Sequence, residues 1–417
     1  MAQSTEYPGA VPPPSWRAPV VEGDPWCGAN PFDPAFRDDP YPALARLRRI
    51  DPVNRTPIGI WRLTRYADVV RLLRDVPVGV RLTNGALPVT PDPAVAGGGE
   101  FMLQRDPPDH TRLRKLVSKA FTPRAIEGWR GRIEAIVSEC LDAIARRREL
   151  DVIADLALPV PATLICEMLG VPVADRDRFT QWTAEATHGL AAQTAAPDVL
   201  ARASAAARAL AGYFEALIAE RRSNLKDDLL SALIRAEEAG DRLSPSELMV
   251  HAVGLLIAGF ETTIGLIGNG MNALLRNPDQ LAKLRRQPDL IASAVEECLR
   301  YDGPIPLTPR ILHADAEFAG RTLPKDAQVW AMLAAANRDP ARFPDPDRFD
   351  IERIDNAHVA FGGGAHLCLG AHLARLEAQI AIGGLVQRFP RLSLRDPTLA
   401  WGPSLFRVPA HLRVAIG

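Results

Sequence analysis

Apolar residues recur along this chain at two spacings, and the helical one dominates. Ala43, Leu44 and Leu47 mark a helix over Pro40 to Ile50. Ile58 to Leu63 reads as a strand and Tyr66 to Arg74 as a second helix. Leu82 to Gly99 is rich in Pro and Gly and reads as a long ordered loop, a feature that is often functional. From Asp109 to about Arg222 the pattern is mainly helical, with an apolar stripe at Ile133, Ile136, Val137 and Leu141. Leu200 to Arg222 is an Ala-rich helix ending in arginines. The longest helical stretch is Pro245 to Leu275. It opens on Ser244-x-x-Glu247 with Pro245 at the first helical position. Its centre is apolar on all faces, which predicts a helix crossing a core. Leu290 to Tyr301 adds a helix, and extended segments follow near Ile311 to Phe318 and Gln328 to Leu333. A Pro-rich meander runs from Arg338 to Arg353, then a helix from Gly370 to Phe389, then an extended tail to Gly417. The expected fold class is mainly α with a minor β region.

Composition narrows the function classes. The 417 residues carry 49 basic and 50 acidic side chains, a net charge of −1. The 47% hydrophobic and 24% charged fractions exclude a disordered chain, a collagen or a coiled coil, and the near-zero net charge argues against bulk binding to nucleic acid or anionic membrane. The five cysteines, at 27, 140, 166, 298 and 368, are odd in number, widely spaced and without a CxxC. This predicts no disulfide framework and a cytoplasmic location. Met1 to Trp16 is polar and Pro-rich, unlike a signal peptide. Ala252 to Phe260 is apolar but is stopped by Glu261, shorter than a bilayer span. Residues 1–20 read as a flexible arm and 21–417 as one domain.

The sharpest chemical feature is Phe361-Gly-Gly-Gly364-Ala-His366-Leu-Cys368-Leu-Gly370-Ala-His-Leu373-Ala374-Arg375. A glycine-rich loop here delivers a cysteine to a helix N-terminus, a position expected to lower the thiol pKa. The glycines permit close approach to something large and flat, and a thiolate so held can ligate iron axially. A dinucleotide loop would need a third glycine where Leu367 stands. A zinc site at His366, Cys368 and His372 lacks a second cluster with ligand spacing. A plain buried cysteine remains the bland alternative.

The segment resembles the haem-binding loop of the cytochrome P450 family, FxxGxHxCxGxxLAR, with Phe361, Gly364, His366, Cys368, Gly370, Leu373, Ala374 and Arg375 in all eight fixed positions. Four other segments resemble the same family in the same order. Ala258-Gly-Phe-Glu261-Thr262-Thr263 is similar to its oxygen-activation motif, which implies proton delivery by Glu261 and Thr262. Glu297-Cys-Leu-Arg300 is similar to its ExxR, and Pro346-Asp-Arg348-Phe349 matches the segment supplying the partner arginine, which implies a structural Glu297–Arg300–Arg348 set. His110-Thr-Arg-Leu-Arg114 resembles the propionate helix, and Pro309-Arg310-Ile311 the strand carrying another propionate-binding arginine, with His366 joining them. Buried propionates need such partners.

The resemblance implies a triangular, helix-rich P450 fold with haem b held between the long central helix and the Cys-loop helix. Cys368 would be the iron ligand, and His110, Arg114, Ala258, Arg310, Phe361, His366 and Gly370 would contact the cofactor. O2 is the implied co-substrate. Only 49 residues follow Cys368, so the electrons of NAD(P)H are expected to arrive through a separate ferredoxin or flavodoxin and its reductase. Arg105 to Arg132 holds eight basic and three acidic residues. The expected docking patch lies near Arg112, Lys115 and Lys119. The family's pocket walls map to the loop before Phe101, the Thr180 to Val199 region and residues Leu82, Leu87, Leu256, Ile257, Ile305, Leu307, Leu405 and Phe406. These favour a lipophilic substrate such as a terpenoid, steroid, macrolide or fatty acid. The reading is a monomeric monooxygenase. A peroxide-dependent peroxygenase and a haem-thiolate sensor or carrier are the alternatives.

Overall fold

The computed structural model describes residues 26–31, 33–88, 100–187, 197–226, 228–238, 243–402 and 406–416. The N-terminal arm, part of the expected 82–99 loop and most of the 188–199 stretch therefore lie outside the described residues.

Local sequence decides where the central helix starts. The Ser244 hydroxyl accepts the Glu247 N–H at 3.2 Å, and the Glu247 carboxylate accepts the Ser244 N–H at 2.7 Å. This reciprocal cap, with Pro245 behind it, launches the 32-residue helix Pro245–Arg276. The helix ends one residue past the expected Leu275, and its apolar run is longer than Ala252 to Phe260, because the apolar pattern resumes beyond Glu261 from Thr263 to Leu274. By length and composition it would pass for a membrane span, yet 67% of its most apolar window is buried inside the protein. Its neighbours are the helices Pro159–Met168, Pro197–Ser223, Ile291–Asp302 and Ala371–Arg388. Around it lies the largest group of buried apolar side chains, including Ile133, Val137, Leu210, Phe214, Ile267 and Leu385.

A five-stranded sheet forms a second layer. Its order is Val53–Arg55, Trp61–Leu63, Gln328–Ala331, Thr308–Leu312 and Val78–Gly79. Trp61–Leu63 pairs parallel with Gln328–Ala331, and the other pairings are antiparallel. The register sets Arg310 opposite Val329 and Ile311 opposite Gly79. The expected segment Ile311 to Phe318 divides into Thr308–Leu312 and a hairpin strand, Ala316–Phe318, that pairs with Arg321–Leu323 across a turn with positive φ at Ala319 and Gly320. The tail strand Arg413–Ile416 lies between Glu149–Asp151 and Leu392–Leu394. Three-residue strands are too short to show a period, so Glu149–Asp151 was not legible beforehand. All five cysteines are free thiols, and Cys368 is the exposed one.

Candidate active site

Gly364 shapes the cysteine loop. It sits at φ +68°, and a Cβ there would lie 2.0 Å from the Leu73 carbonyl oxygen, so only glycine fits. The chain then doubles back. The Leu367 N–H donates to the Gly364 carbonyl at 3.1 Å and the Cys368 N–H to that of Phe361 at 3.0 Å. Arg114, from the helix Asp109–Ser118, donates to the Leu367 carbonyl at 2.6 Å and fixes the loop from outside. Cys368 keeps an accessible edge, yet the surrounding protein desolvates its sulphur. Desolvation pushes the thiol pKa up, and the Gly370 N–H, Arg114 and Arg375 pull the other way without winning. The expectation of a lowered thiol pKa is thus reversed. Metal ligation of the sulphur would favour the thiolate over the thiol.

Beside the loop, polar side chains converge from three elements. His110 of the helix Asp109–Ser118 is buried, with its ring 4.2 Å from that of His366. His110 Nε2 and both His366 ring nitrogens are buried without a hydrogen-bond partner among the described residues. Desolvation, helped by His366 and Arg114, lowers the His110 pKa to about 4, which leaves it a neutral donor. Arg310 reaches in from the strand Thr308–Leu312. Its Nη1 bonds the Thr308 hydroxyl at 3.0 Å and its own strand's Pro309 carbonyl at 2.7 Å, and desolvation lowers its pKa to about 10. Asp106 holds the Val80 and Arg81 N–H groups at 2.9 and 3.1 Å and lies 3.9 Å from His366 Nε2. The site therefore has buried donors in excess of acceptors. That composition fits a ligand with carboxylates.

On the central helix, Ala258 is exposed and Gly259, Glu261 and Thr262 are half-buried, in a helix otherwise packed into the core. A Cβ at Gly259 would meet nothing within 4 Å. The Thr262 and Thr263 hydroxyls donate to the carbonyls of Ala258 and Gly259 at 2.9 and 3.0 Å. Such back-bonding loosens a helix. It also leaves the Thr262 oxygen lone pairs available to accept a donor. An accessible thiol, a cluster of unsatisfied donors and an open stretch of apolar helix together match a flat, dianionic, metal-bearing cofactor.

The sequence pattern of the family described as Cytochrome P450 matches residues 84–291 and 288–398. The chain belongs to the cytochrome P450 family. It is 45% identical over 388 residues to cytochrome P450 107B1 of Saccharopolyspora erythraea, covering 89% of this chain and 93% of that one. It is 43% identical over 406 residues to a vitamin D(3) 25-hydroxylase of Pseudonocardia autotrophica, covering 91% and 96%. The solved P450BioI in complex with hexadec-9Z-enoic acid ligated acyl carrier protein superposes with a TM-score of 0.86 at 37% identity, over 92% of this chain and 99% of that one. As a P450 monooxygenase, the protein is an oxidoreductase that uses haem b and O2, with NAD(P)H electrons arriving through redox partners.

One structural set in this P450 differs from expectation. Glu297 and Arg300 are buried and bidentate, with both bonds at 2.7 Å. Arg348 does not complete them through its side chain, which is 63% exposed and lies 3.7 Å from Asp350. It offers its backbone carbonyl to Arg300 and Arg353, each at 3.1 Å. The third charged member is Arg353, whose Nε lies 3.3 Å from the Glu297 carboxylate. Its guanidinium also bonds the carbonyl of Pro344 at 2.8 Å. Several arginines crowd this meander, and only its tertiary course selects Arg353.

The predicted pocket residues divide. Leu82, Leu87, Ile257, Ile305, Leu307 and Phe406 are half-buried. Leu256 is corrected to a core position, 1% exposed within the main group of buried apolar side chains. Leu405 lies outside the described residues. Leu307 and Phe406 line an apolar cleft with Phe36, Leu44, Met332 and Trp401, apart from the cysteine and the donor cluster. On the expected docking face, Arg112, Lys115 and Lys119 are all exposed. Arg112 is already paired with Glu247, the central helix's capping residue.

Proposed function

We propose that Cys368 is the axial iron ligand of a monooxygenase acting on C–H or C=C bonds of a lipophilic small molecule. The observation that carries this reading is the convergence of the Cys368 loop with His110, Arg114, Arg310 and His366. Haem, when bound, supplies the O2-activating iron. The chain's own residues do the rest. Arg310 and the two histidines would hold the propionate carboxylates in a buried setting, where charge-assisted hydrogen bonds are strong. Arg114 ties the cysteine loop to the same helix. Ala258 and Gly259 would leave the central helix thin where the cofactor is held, and Phe361 and Gly370 would contact the cofactor on either side of Cys368. Thr262 would accept a hydrogen bond at Oγ1 in the proton-delivery chain, with Glu261 as the neighbouring acid.

Support for the substrate class comes from the apolar wall residues and from the relatives, one a vitamin D(3) hydroxylase and one bound to a fatty acyl carrier protein. Terpenoids, steroids, macrolides and fatty acids fit that chemistry. Arg112, Lys115 and Lys119 mark the basic face on which an acidic ferredoxin or flavodoxin would dock, with Arg112 paired to Glu247. The reading is of a single cytoplasmic haem domain. The reduced protein with carbon monoxide is expected to show the red-shifted Soret band of a thiolate-bound haem, and Cys368→His to abolish it. A histidine-type spectrum in the wild type would end the assignment. Turnover with NADH, ferredoxin reductase and ferredoxin, set against hydrogen peroxide alone, separates a monooxygenase from a peroxygenase or a sensor.

A further inference from the structure

The helix Ile291–Asp302 carries two adjacent glutamates with different partners. Glu297 belongs to the Arg300 and Arg353 set. Glu296, one position around the helix, turns to the cysteine loop. Its Oε1 accepts Arg375 Nε at 2.6 Å and its Oε2 accepts Arg375 Nη2 at 2.9 Å, a bidentate pair. The same Oε2 lies 3.1 Å from His358 Nε2. The Ala360 N–H donates to His358 Nδ1 at 3.2 Å, so Nδ1 is the acceptor and Nε2 carries the hydrogen that faces Glu296. His358 and Arg375 outweigh desolvation and hold the Glu296 pKa down to about 2.

These partners bracket the loop. His358 lies just before it, and Arg375 lies in the helix Ala371–Arg388 just after it. The Arg375 guanidinium stands 4.5 Å from the centre of the Phe361 ring, and the Phe361 carbonyl is the acceptor for the Cys368 N–H.

We propose that Glu296, held by His358, is a positioning residue that seats Arg375 on Phe361 and offsets its charge, and so sets the electrostatic field at the Cys368 ligand. The proposal rests on the reading of Cys368 as iron ligand. Glu296 is not among the residues that would hold the cofactor, and its side-chain partners are Arg375 and His358. It acts through Arg375, as outer-shell partners act on a metal ligand. Removing the Glu296 charge leaves the Arg375 cation uncompensated, which favours the reduced state. Removing Arg375 does the opposite.

The test is the reduction potential of the haem-loaded full-length protein, with the carbon monoxide difference spectrum recorded in parallel. Glu296→Gln is expected to move the potential positive and Arg375→Gln to move it negative. The double variant should return towards wild type. Glu296→Asp should fall between wild type and Glu296→Gln. If Glu296→Gln does not fold, His358→Phe removes one donor from the carboxylate while keeping both charges, and should give a smaller shift with a several-fold larger fraction lacking the thiolate band. Unchanged potentials, or shifts of the same sign in both single variants, overturn the proposal. A wild type without the thiolate band overturns the Cys368 reading first, and the proposal with it.

Discussion

Thr262 shows how one side chain serves two ends. Its hydroxyl hydrogen is committed to the Ala258 carbonyl, so only its lone pairs face outward. Thr262→Ala removes that acceptor without disturbing a charge. We expect O2 consumption to rise several-fold per product formed while haem binding persists, measured as an O2-to-product ratio. Unchanged coupling would remove Thr262 from the proton relay. Gly364 is the opposite case, a residue defined by what it lacks. Gly364→Ala adds a Cβ 2.0 Å from the Leu73 carbonyl oxygen at a positive φ. The strain alone is about 1–3 kcal/mol. The expected result is a lower melting temperature and incomplete haem retention, read by calorimetry and the haem-to-protein absorbance ratio.

At the scale of elements, the helix Ile291–Asp302 organises two loops through neighbouring carboxylates. Glu297 fastens the meander by accepting from Arg300, Arg353, Asn356 and the Asp350 N–H. A buried pair broken on one side leaves an uncompensated charge, which is strongly destabilising. Arg353→Ala should therefore cost about 2–3 kcal/mol through lost charge-assisted hydrogen bonds. Arg348→Ala should stay within about 0.5 kcal/mol, as for most surface changes. Urea denaturation of the two variants checks the contrast, and equal losses would restore Arg348 to the set. The central helix illustrates the reverse relation. Its start was legible from Ser244, Pro245 and Glu247, because a capping box is a local hydrogen-bonding device.

Over the whole molecule, one buried group links stability to pH. Glu377, on the helix Ala371–Arg388, is 3% exposed and has one carboxylate oxygen without a hydrogen-bond partner. Desolvation raises its pKa to about 8. A carboxyl whose folded pKa is raised contributes most below its unfolded pKa. Its contribution falls as pH rises towards 8, by about 1.4 kcal/mol per pH unit. Glu377→Gln should therefore raise the melting temperature, and more at pH 8 than at pH 6. An equal gain at both would show that Glu377 does not titrate in that window. Helical periodicity, the capping box and the order of short motifs sufficed for a helix-dominated chain with a cysteine loop and a long central helix bearing Glu261 and Thr262, since those features are local or are spelled by fixed residue types. Local sequence could not choose Arg353 over Arg348, pair Glu296 with Arg375, place Leu256 in the core or raise the Cys368 pKa. Each of those outcomes depends on desolvation and on contacts between residues far apart in the chain, and these exist only once the helices and the meander have packed.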